Sequence, residues 1–306
     1  MSTLTDRELS ALLRLLSDPS AATRAVVEAS LASLDPVALD QVRAARDRLS
    51  PEAARRIEEL TFLVPRRGFL GDLTVLVEAG GDELDLEAGI WCLARFRDPD
   101  LVTAPYTREL ERLSEAVRSR IGRLEPSSTV LETFVQVLFD EEGFHGNLLD
   151  YYDPDNSFFH KVLERRRGIP ITLSVLCLLV GRRAGLPLEG VSLPGHFLCR
   201  FGPEEEDLFF DPFHDGRRLT RQGCADLCRQ GGVAFKAAYL RPSTNREILQ
   251  RMVRNLREIY LQREALLEVG VLEDYLAVLD SEEEEEEDEA EGAEEWPDEE
   301  APDEAW

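Results

Sequence analysis

The chain has 306 residues, 43% of them hydrophobic, and a formal net charge of −26, which gives enough apolar length for two compact units with real cores. The charge is localised: residues 280–306 hold 17 acidic side chains and no Lys or Arg, leaving 44 acidic against 35 basic residues, a net −9, in residues 1–279. No basic patch with interleaved aromatics is present, so nucleic-acid binding is excluded as a reading, and the longest apolar run is about half a membrane span, so a membrane partner is not expected.

The N-terminal third reads as helices. Apolar residues recur at three and four across Asp6–Leu16, Ala21–Leu34, Pro36–Leu49 and Pro51–Leu63, with Ser, Asp and Pro at the breaks. Leu12 to Arg24, reading Leu-Leu-Arg-Leu-Leu-Ser-Asp-Pro-Ser-Ala-Ala-Thr-Arg, resembles the turn of a HEAT-type repeat, whose paired helices stack into solenoids. Residues 1–83 are therefore expected to be helical and HEAT-like. Leu86–Arg95, Tyr106–Arg120 and Ser127–Phe139 are three further expected helices, broken at Asp98-Pro99-Asp100 and Glu125-Pro126, and make a lead-in over residues 84–140.

Residues 141–242 carry the chemistry. Arg167-Gly168-Ile169-Pro170 opens an apolar run, Ile171 to Val180, that ends at Gly185-Leu186-Pro187. One helix is expected: Pro170 suits a first helical position, where its missing N–H would be unpaired anyway, and Gly185 suits a left-handed stop. Gly190 to Phe201 is a Pro194-Gly195 turn feeding a strand with His196 at its head. After an acidic hairpin loop, Gly202 to Asp207, the strand Leu208-Phe209-Phe210 delivers Asp211-Pro212-Phe213. Helix, strand, strand, with Asp211 fifteen residues after His196, is the layout of a papain-like or transglutaminase-like core in an α+β fold with a small antiparallel sheet.

Five blocks taken in order resemble the bacterial SirB-type family of transglutaminase-like proteins: Gly143-Phe144-His145-Gly146-Asn147, Tyr151 to Ser157, Val162 to Ser174, Leu193-Pro194-Gly195-His196-Phe197 and Asp211-Pro212-Phe213. The resemblance runs from about Leu84 to Tyr260. It implies a His–Asp pair at His196 and Asp211. Active members of the wider superfamily read roughly Arg-x-Gly-x-Cys-x-x-x-Ala before the nucleophile helix. Matching Gly168 to that glycine places Pro170 at the cysteine and Ser174 at the alanine, and counting back from the Gly185 stop gives the same register. A cysteine at a helix N-terminus beside an imidazolium is a strong nucleophile because both favour its thiolate. Proline supplies none.

Other residues are weaker nucleophile candidates. Thr172 and Ser174 lie in the first turns of the expected helix, where hydroxyls usually bond local backbone. Cys177 is roughly 10 Å further along by helical rise and reads as core. Cys199 is three residues from His196, an odd offset that sends it to the opposite strand face. Asn156 and Ser157, just before the nucleophile-type helix, are candidates to line the cleft with Pro170, or else belong to a turn and helix cap. Cys224, Cys228 and His214 form the one metal-ligand grouping considered, and the spacing favours core; no metal and no cofactor are assigned. Arg165-Arg166-Arg167 and Arg182-Arg183 read as solvated helix ends pairing with nearby acids.

After the core, Thr244 to Gln262 is an amphipathic helix with Ile248, Met252, Val253, Leu256, Ile259 and Tyr260 on one stripe. Residues 243–279 are expected to be helical, and 280–306 a disordered acidic tail containing Trp296 and Trp306. The polar first residues carry no apolar export core, and five scattered cysteines suit reduced thiols, so a cytoplasmic location is expected. Two functions stay open. One is a non-catalytic protein that binds a protein or peptide segment through the cleft and helical region. The other is a hydrolase or amide-processing enzyme using His196 and Asp211 with Ser174, Thr172 or water. No oligomeric state is assigned.

Overall fold

The structure, a computed structural model, describes residues 4–16, 18, 20–32, 34, 36–45, 51–121, 127–202 and 208–292. Four helices come first: α1 (Asp6–Leu16), α2 (Ala21–Ala32), α3 (Pro36–Ala44) and α4 (Pro51–Gly80). Within the segment whose sequence resembles a HEAT-type turn, Ser17 and Pro19 lie outside the described residues. Val27, Leu31, Leu39, Val42, Ile57 and Leu60 from α2, α3 and α4 form a small core of their own.

The fourth helix differs from expectation. Rather than ending at Leu63, it continues as 30 residues through Pro65. An interior proline costs about 3 kcal/mol, but the apolar stripe persists beyond it. Leu73 and Val77 are buried in the main core, with Phe62, Leu63, Phe69 and Leu70 packed against it, and at about 1.5–3 kcal/mol for each fully buried large side chain the stripe outweighs the break. The change from one core to the other therefore falls inside α4, between Leu60 and Leu73.

The main core is built on α5 (Leu86–Arg97), α6 (Ala104–Arg118) and α7 (Ser127–Val135), the last running into a π-helical turn at Gln136–Glu141. Asp85 caps α5 by accepting from the backbone N–H groups of Glu87 and Ala88. There follow β1 (His145–Gly146), α8 (Phe159–Arg165), β2 (Arg167–Gly168) and α9 (Pro170–Ala184). Strands β1 and β2 pair in parallel. Every residue of α9 from Pro170 to Gly181 is buried, which is why its sequence is apolar all round rather than striped. Gly185 closes it at φ 75°.

Against α9 lies an antiparallel sheet of β3 (Leu188–Leu193), β4 (His196–Phe201), β5 (Leu208–Asp211) and β6 (Arg217–Leu219), in that order. Two of these strands, β3 and β6, go beyond the helix-strand-strand reading. Strand parity divides β4 cleanly: Phe197, Cys199 and Phe201 join the α9 core, whereas Leu198 joins Val191, Leu193 and Phe209 beneath α10 (Arg221–Gln230). Cys224 and Cys228 are buried in that second cluster, and all five cysteines are free and buried. The acidic hairpin loop at 203–207 lies outside the described residues.

The C-terminal helix α11 (Asn245–Gln262) starts at a reciprocal cap, in which Thr244 and Glu247 each accept from the other's backbone N–H. It packs on α12 (Leu266–Gly292), whose Leu272, Tyr275 and Leu279 enter the main core. The acidic block expected to be structureless from residue 280 is helical as far as Gly292. Glutamate is a good helix former, and a helix already nucleated by a docked apolar half extends at little cost. Residues 293–306, with Trp296 and Trp306, lie outside the described residues.

Candidate functional site

His196 owes its position to a turn and a clamp. Pro194 and Gly195 reverse the chain between Leu193 and His196, which face each other in the β3–β4 register. Gly195 sits at φ 73°, a left-handed conformation that any side chain would strain. From α11, Arg251 donates through Nη1 to the carbonyl of Leu193 at 2.9 Å and through Nη2 to the carbonyl of His196 at 2.9 Å. The guanidinium thus fixes both ends of the turn. Burial holds its pKa below the ordinary arginine value.

Asp211 ends β5 and caps the one-turn helix Pro212–His214. Its two carboxylate oxygens have separate duties. Oδ1 accepts from the backbone N–H of Phe213 at 3.1 Å. Oδ2 accepts from Nε2 of His196 at 2.9 Å and from Nδ1 of His214 at 2.7 Å. The side chain of Asp211 is 0% exposed. Burial pushes its pKa up, but hydrogen bonds and charge from His196 and His214 outweigh that and hold the carboxyl below its ordinary value. Arg217 Nη2, on the outer side, is 3.8 Å from Oδ2.

A wall of rings closes around the pair. Phe213 lies edge-on to His196, with centroids 6.3 Å apart, and to Tyr151 at 5.8 Å. A side chain at Gly146 would meet the carbonyl oxygen of Phe213 at 2.3 Å, so this strand position must be glycine for the ring to sit where it does. Beside the wall, Leu148, Leu149 and Tyr152 are 72%, 94% and 58% exposed. With half-exposed Tyr151, which packs on Phe213, they give the loop from Leu148 to Tyr152 four exposed or partly exposed apolar or aromatic side chains.

The weaker candidates fall elsewhere. Thr172 is buried, its hydroxyl accepting from the backbone N–H of Ile169 at 3.1 Å and donating to the carbonyl of Asn156 at 2.8 Å. Ser174 is 0% exposed, and its hydroxyl bonds no group among the described residues. Neither hydroxyl bonds His196, whose ring is bonded to Asp211. Cys199 donates to the carbonyl of Ser174 at 3.7 Å, deep in the α9 core, and burial with the neighbouring Cys199 raises the Cys177 thiol well above its ordinary pKa. Pro170 is buried at the start of α9, and α9 packs against the Asp211–His214 turn.

Asn156 and Ser157 are 0% and 1% exposed. The Asn156 amide donates to the carbonyl of Asp150 at 2.7 Å and accepts from Asn147 at 2.9 Å. It ties the loop that carries Leu148 to Tyr152 onto the start of α9. Three of the five clustered arginines pair with acids, Arg165 with Asp153, Arg166 with Glu109 and Arg183 with Glu87, whereas Arg167 donates to Nε2 of His145 at 3.0 Å and Arg182 to Asn245 at 2.8 Å.

Two residues were not placed at the dyad by the sequence reading. His214 reaches Asp211 because an aspartate capping a single turn meets the side chain three residues on, a signal present in the string Asp211-Pro212-Phe213-His214. Arg251 had a fainter signal, a guanidinium three residues after Ile248 on an otherwise apolar stripe. Chemically, the arrangement offers an oriented, solvent-reachable imidazole on a buried carboxylate, competent to exchange a proton or to accept and donate hydrogen bonds.

Residues 104–254 match the model of the transglutaminase-like superfamily core. A UPF0162 protein of Xylella fastidiosa is 36% identical over 191 residues, 60% of this chain and 68% of that protein. A UPF0162 protein of Pseudomonas aeruginosa is 32% identical over 177 residues, 57% of this chain and 64% of that protein. Human F-box only protein 21 is 40% identical over 146 residues, 45% of this chain but 23% of that longer protein. No solved structure matches the fold.

Proposed function

The chain belongs to the UPF0162 family of transglutaminase-like proteins, and from that premise we propose a non-catalytic role, in which the cleft at His196 and Asp211 and the helical region hold a protein or peptide segment in the cytoplasm. One observation carries the reading: among the described residues no hydroxyl or thiol bonds the His196 ring, in keeping with the motif register that sets Pro170 at the superfamily's thiol position. A His–Asp pair without a nucleophile offers only modest acceleration. The exposed Leu148, Leu149, Tyr151 and Tyr152 beside the pair favour an occupant with apolar side chains, since contiguous exposed apolar surface marks interaction sites. None of the described helices is long and apolar enough to cross a membrane.

A second reading keeps one observation of its own. His196 is 15% exposed at its side chain, and its Nδ1 has no protein partner among the described residues, so that nitrogen is open to a hydrogen bond with water. A hydrolase or amide-processing enzyme would use it that way. Broad serine- and cysteine-directed activity probes separate the two. The binding reading expects no labelling that depends on His196; labelling abolished by His196→Ala would overturn it. A peptide array probed with the purified chain should favour segments with large apolar residues, and that preference should weaken at least threefold in Tyr152→Ser.

A further inference from the structure

We propose that His196, Asp211 and His214 bind one transition-metal dication of the zinc class. Nε2 of His196 and Nδ1 of His214 converge on a single oxygen, Oδ2 of Asp211, at 2.9 and 2.7 Å, and the donor atoms of the three residues all lie within 4.8 Å of one another. The carboxylate is oriented before any ligand arrives, because the backbone N–H of Phe213 holds Oδ1 at 3.1 Å and leaves Oδ2 facing the rings. Such an anchoring bond is the outer-shell support that metal-ligating carboxylates have.

The donor set selects the ion. Two imidazole nitrogens and one carboxylate oxygen suit zinc and its neighbours, whereas magnesium and calcium take all-oxygen sites. Three protein ligands around zinc leave a fourth position open. Here solvent reaches the ligands from the His214 side, whose side chain is 41% exposed while that of Asp211 is 0% exposed. Metal–ligand bonds of about 2.0–2.1 Å in a tetrahedron set the ligand atoms roughly 3.3 Å apart, so the two N–O contacts must open by roughly half an ångström. His214 sits at the end of a single helical turn and has the freedom to do it. Each ring nitrogen now facing the ionised carboxylate carries its proton, and binding moves that proton to the ring's other nitrogen. No net proton release is required. Arg217, 3.8 Å from Oδ2, is the cation already competing for this oxygen, and its side chain is 52% exposed, so solvent screens it.

The cysteines do not supply this site. Cys224 and Cys228 are buried in the cluster beneath α10, whereas His214 belongs to Asp211. The inference rests on the cleft being a used site, as proposed above, but not on whether it binds a segment or activates water.

The test uses the full chain, stripped with chelator and titrated with Zn²⁺ by calorimetry, with bound metal counted after gel filtration. One equivalent is expected, with affinity reduced at least tenfold in His214→Ala and in Asp211→Asn and unchanged in Cys228→Ser; circular dichroism confirms that each variant is folded. Co²⁺ should give a four-coordinate visible spectrum without thiolate charge-transfer bands. No stoichiometric binding, binding that survives His214→Ala, or a thiolate band would each overturn the proposal. Probe labelling dependent on His196 leaves the metal site standing while removing the non-catalytic reading. Failure of Zn²⁺ to bind leaves that reading standing.

Discussion

Two of the histidine–aspartate contacts among the described residues are of nearly equal length and opposite construction. In His196–Asp211, 2.9 Å apart, the acid is fully buried and the ring is partly exposed; in His160–Asp98, 2.7 Å apart, the ring is 0% exposed and the acid 39%. Burial depresses the His160 pKa below the ordinary histidine value, and its Nδ1 is buried without a partner. Lys161 adds a cation 3.4 Å from Asp98. The distance between ring and carboxylate is thus no guide to role. What separates a site from a structural contact is which partner the solvent reaches, because a proton or a ligand must approach the imidazole and not the acid behind it.

That contrast can be broken by stability measurements. His160→Ala removes a ring packed against Phe158 and Tyr106 and should cost about 2–4 kcal/mol in urea unfolding. His196→Ala should cost under about 1 kcal/mol in the same measurement. Equal losses would end the distinction. Arg251→Met removes the clamp on the His196 turn and should cost about 1.5–3 kcal/mol, the range for hydrogen bonds to a charged group, while broadening or shifting the His196 ring resonances in NMR far more than those of His160.

The pH dependence sharpens the comparison further. For His160 the unfolded ring takes its proton near pH 6.5 and the folded ring only at lower pH, so the unfolded state holds more protons in between. Its contribution is complete above about pH 6.5 and is lost as the pH falls through the depressed folded value. The Asp98 and Asp211 carboxyls are also held low, and their contributions are lost only on further acidification, below about pH 4. Unfolding free energies measured from pH 8 to pH 3 should therefore show an upper segment that disappears in His160→Phe and a lower one that remains. An upper segment that persists in that variant sinks the assignment. The smallest effect is expected for His214→Ala, within about 0.5 kcal/mol of wild type in metal-free buffer, as for a surface substitution. Added Zn²⁺ should then raise the melting temperature of wild type alone.

Much of the site was legible because local rules dictate it. A proline at a helix start, a glycine at its left-handed stop, a Pro-Gly reversal before His196 and an alternating strand that carries Cys199 away from the ring are all consequences of neighbours in sequence. His214 was missed although it is equally local, because the paired Cys224 and Cys228 drew it into a metal grouping the fold does not make. Arg251 was illegible for a different reason: the carbonyls it binds lie 55 to 58 residues earlier, and only the packing of α11 on the sheet joins them. The unbroken α4 belongs to the same class, since there a tertiary contact outvoted a local cue.

That long helix bears on how the chain comes apart. Because α4 contributes Ile57 and Leu60 to one core and Leu73 and Val77 to the other, neither half can melt without loosening an end of the same rod. Between the two clusters, the guanidinium of Arg66 lies 3.7 Å above the ring of Phe62. A shortened chain beginning at residue 83 would expose one wall of the remaining core, from which Leu73 and Val77 would be missing. The first eighty residues are in this sense a handle grown into the body rather than hung from it: a pull at the N-terminus would be felt by α5 and α12, on which α4 rests.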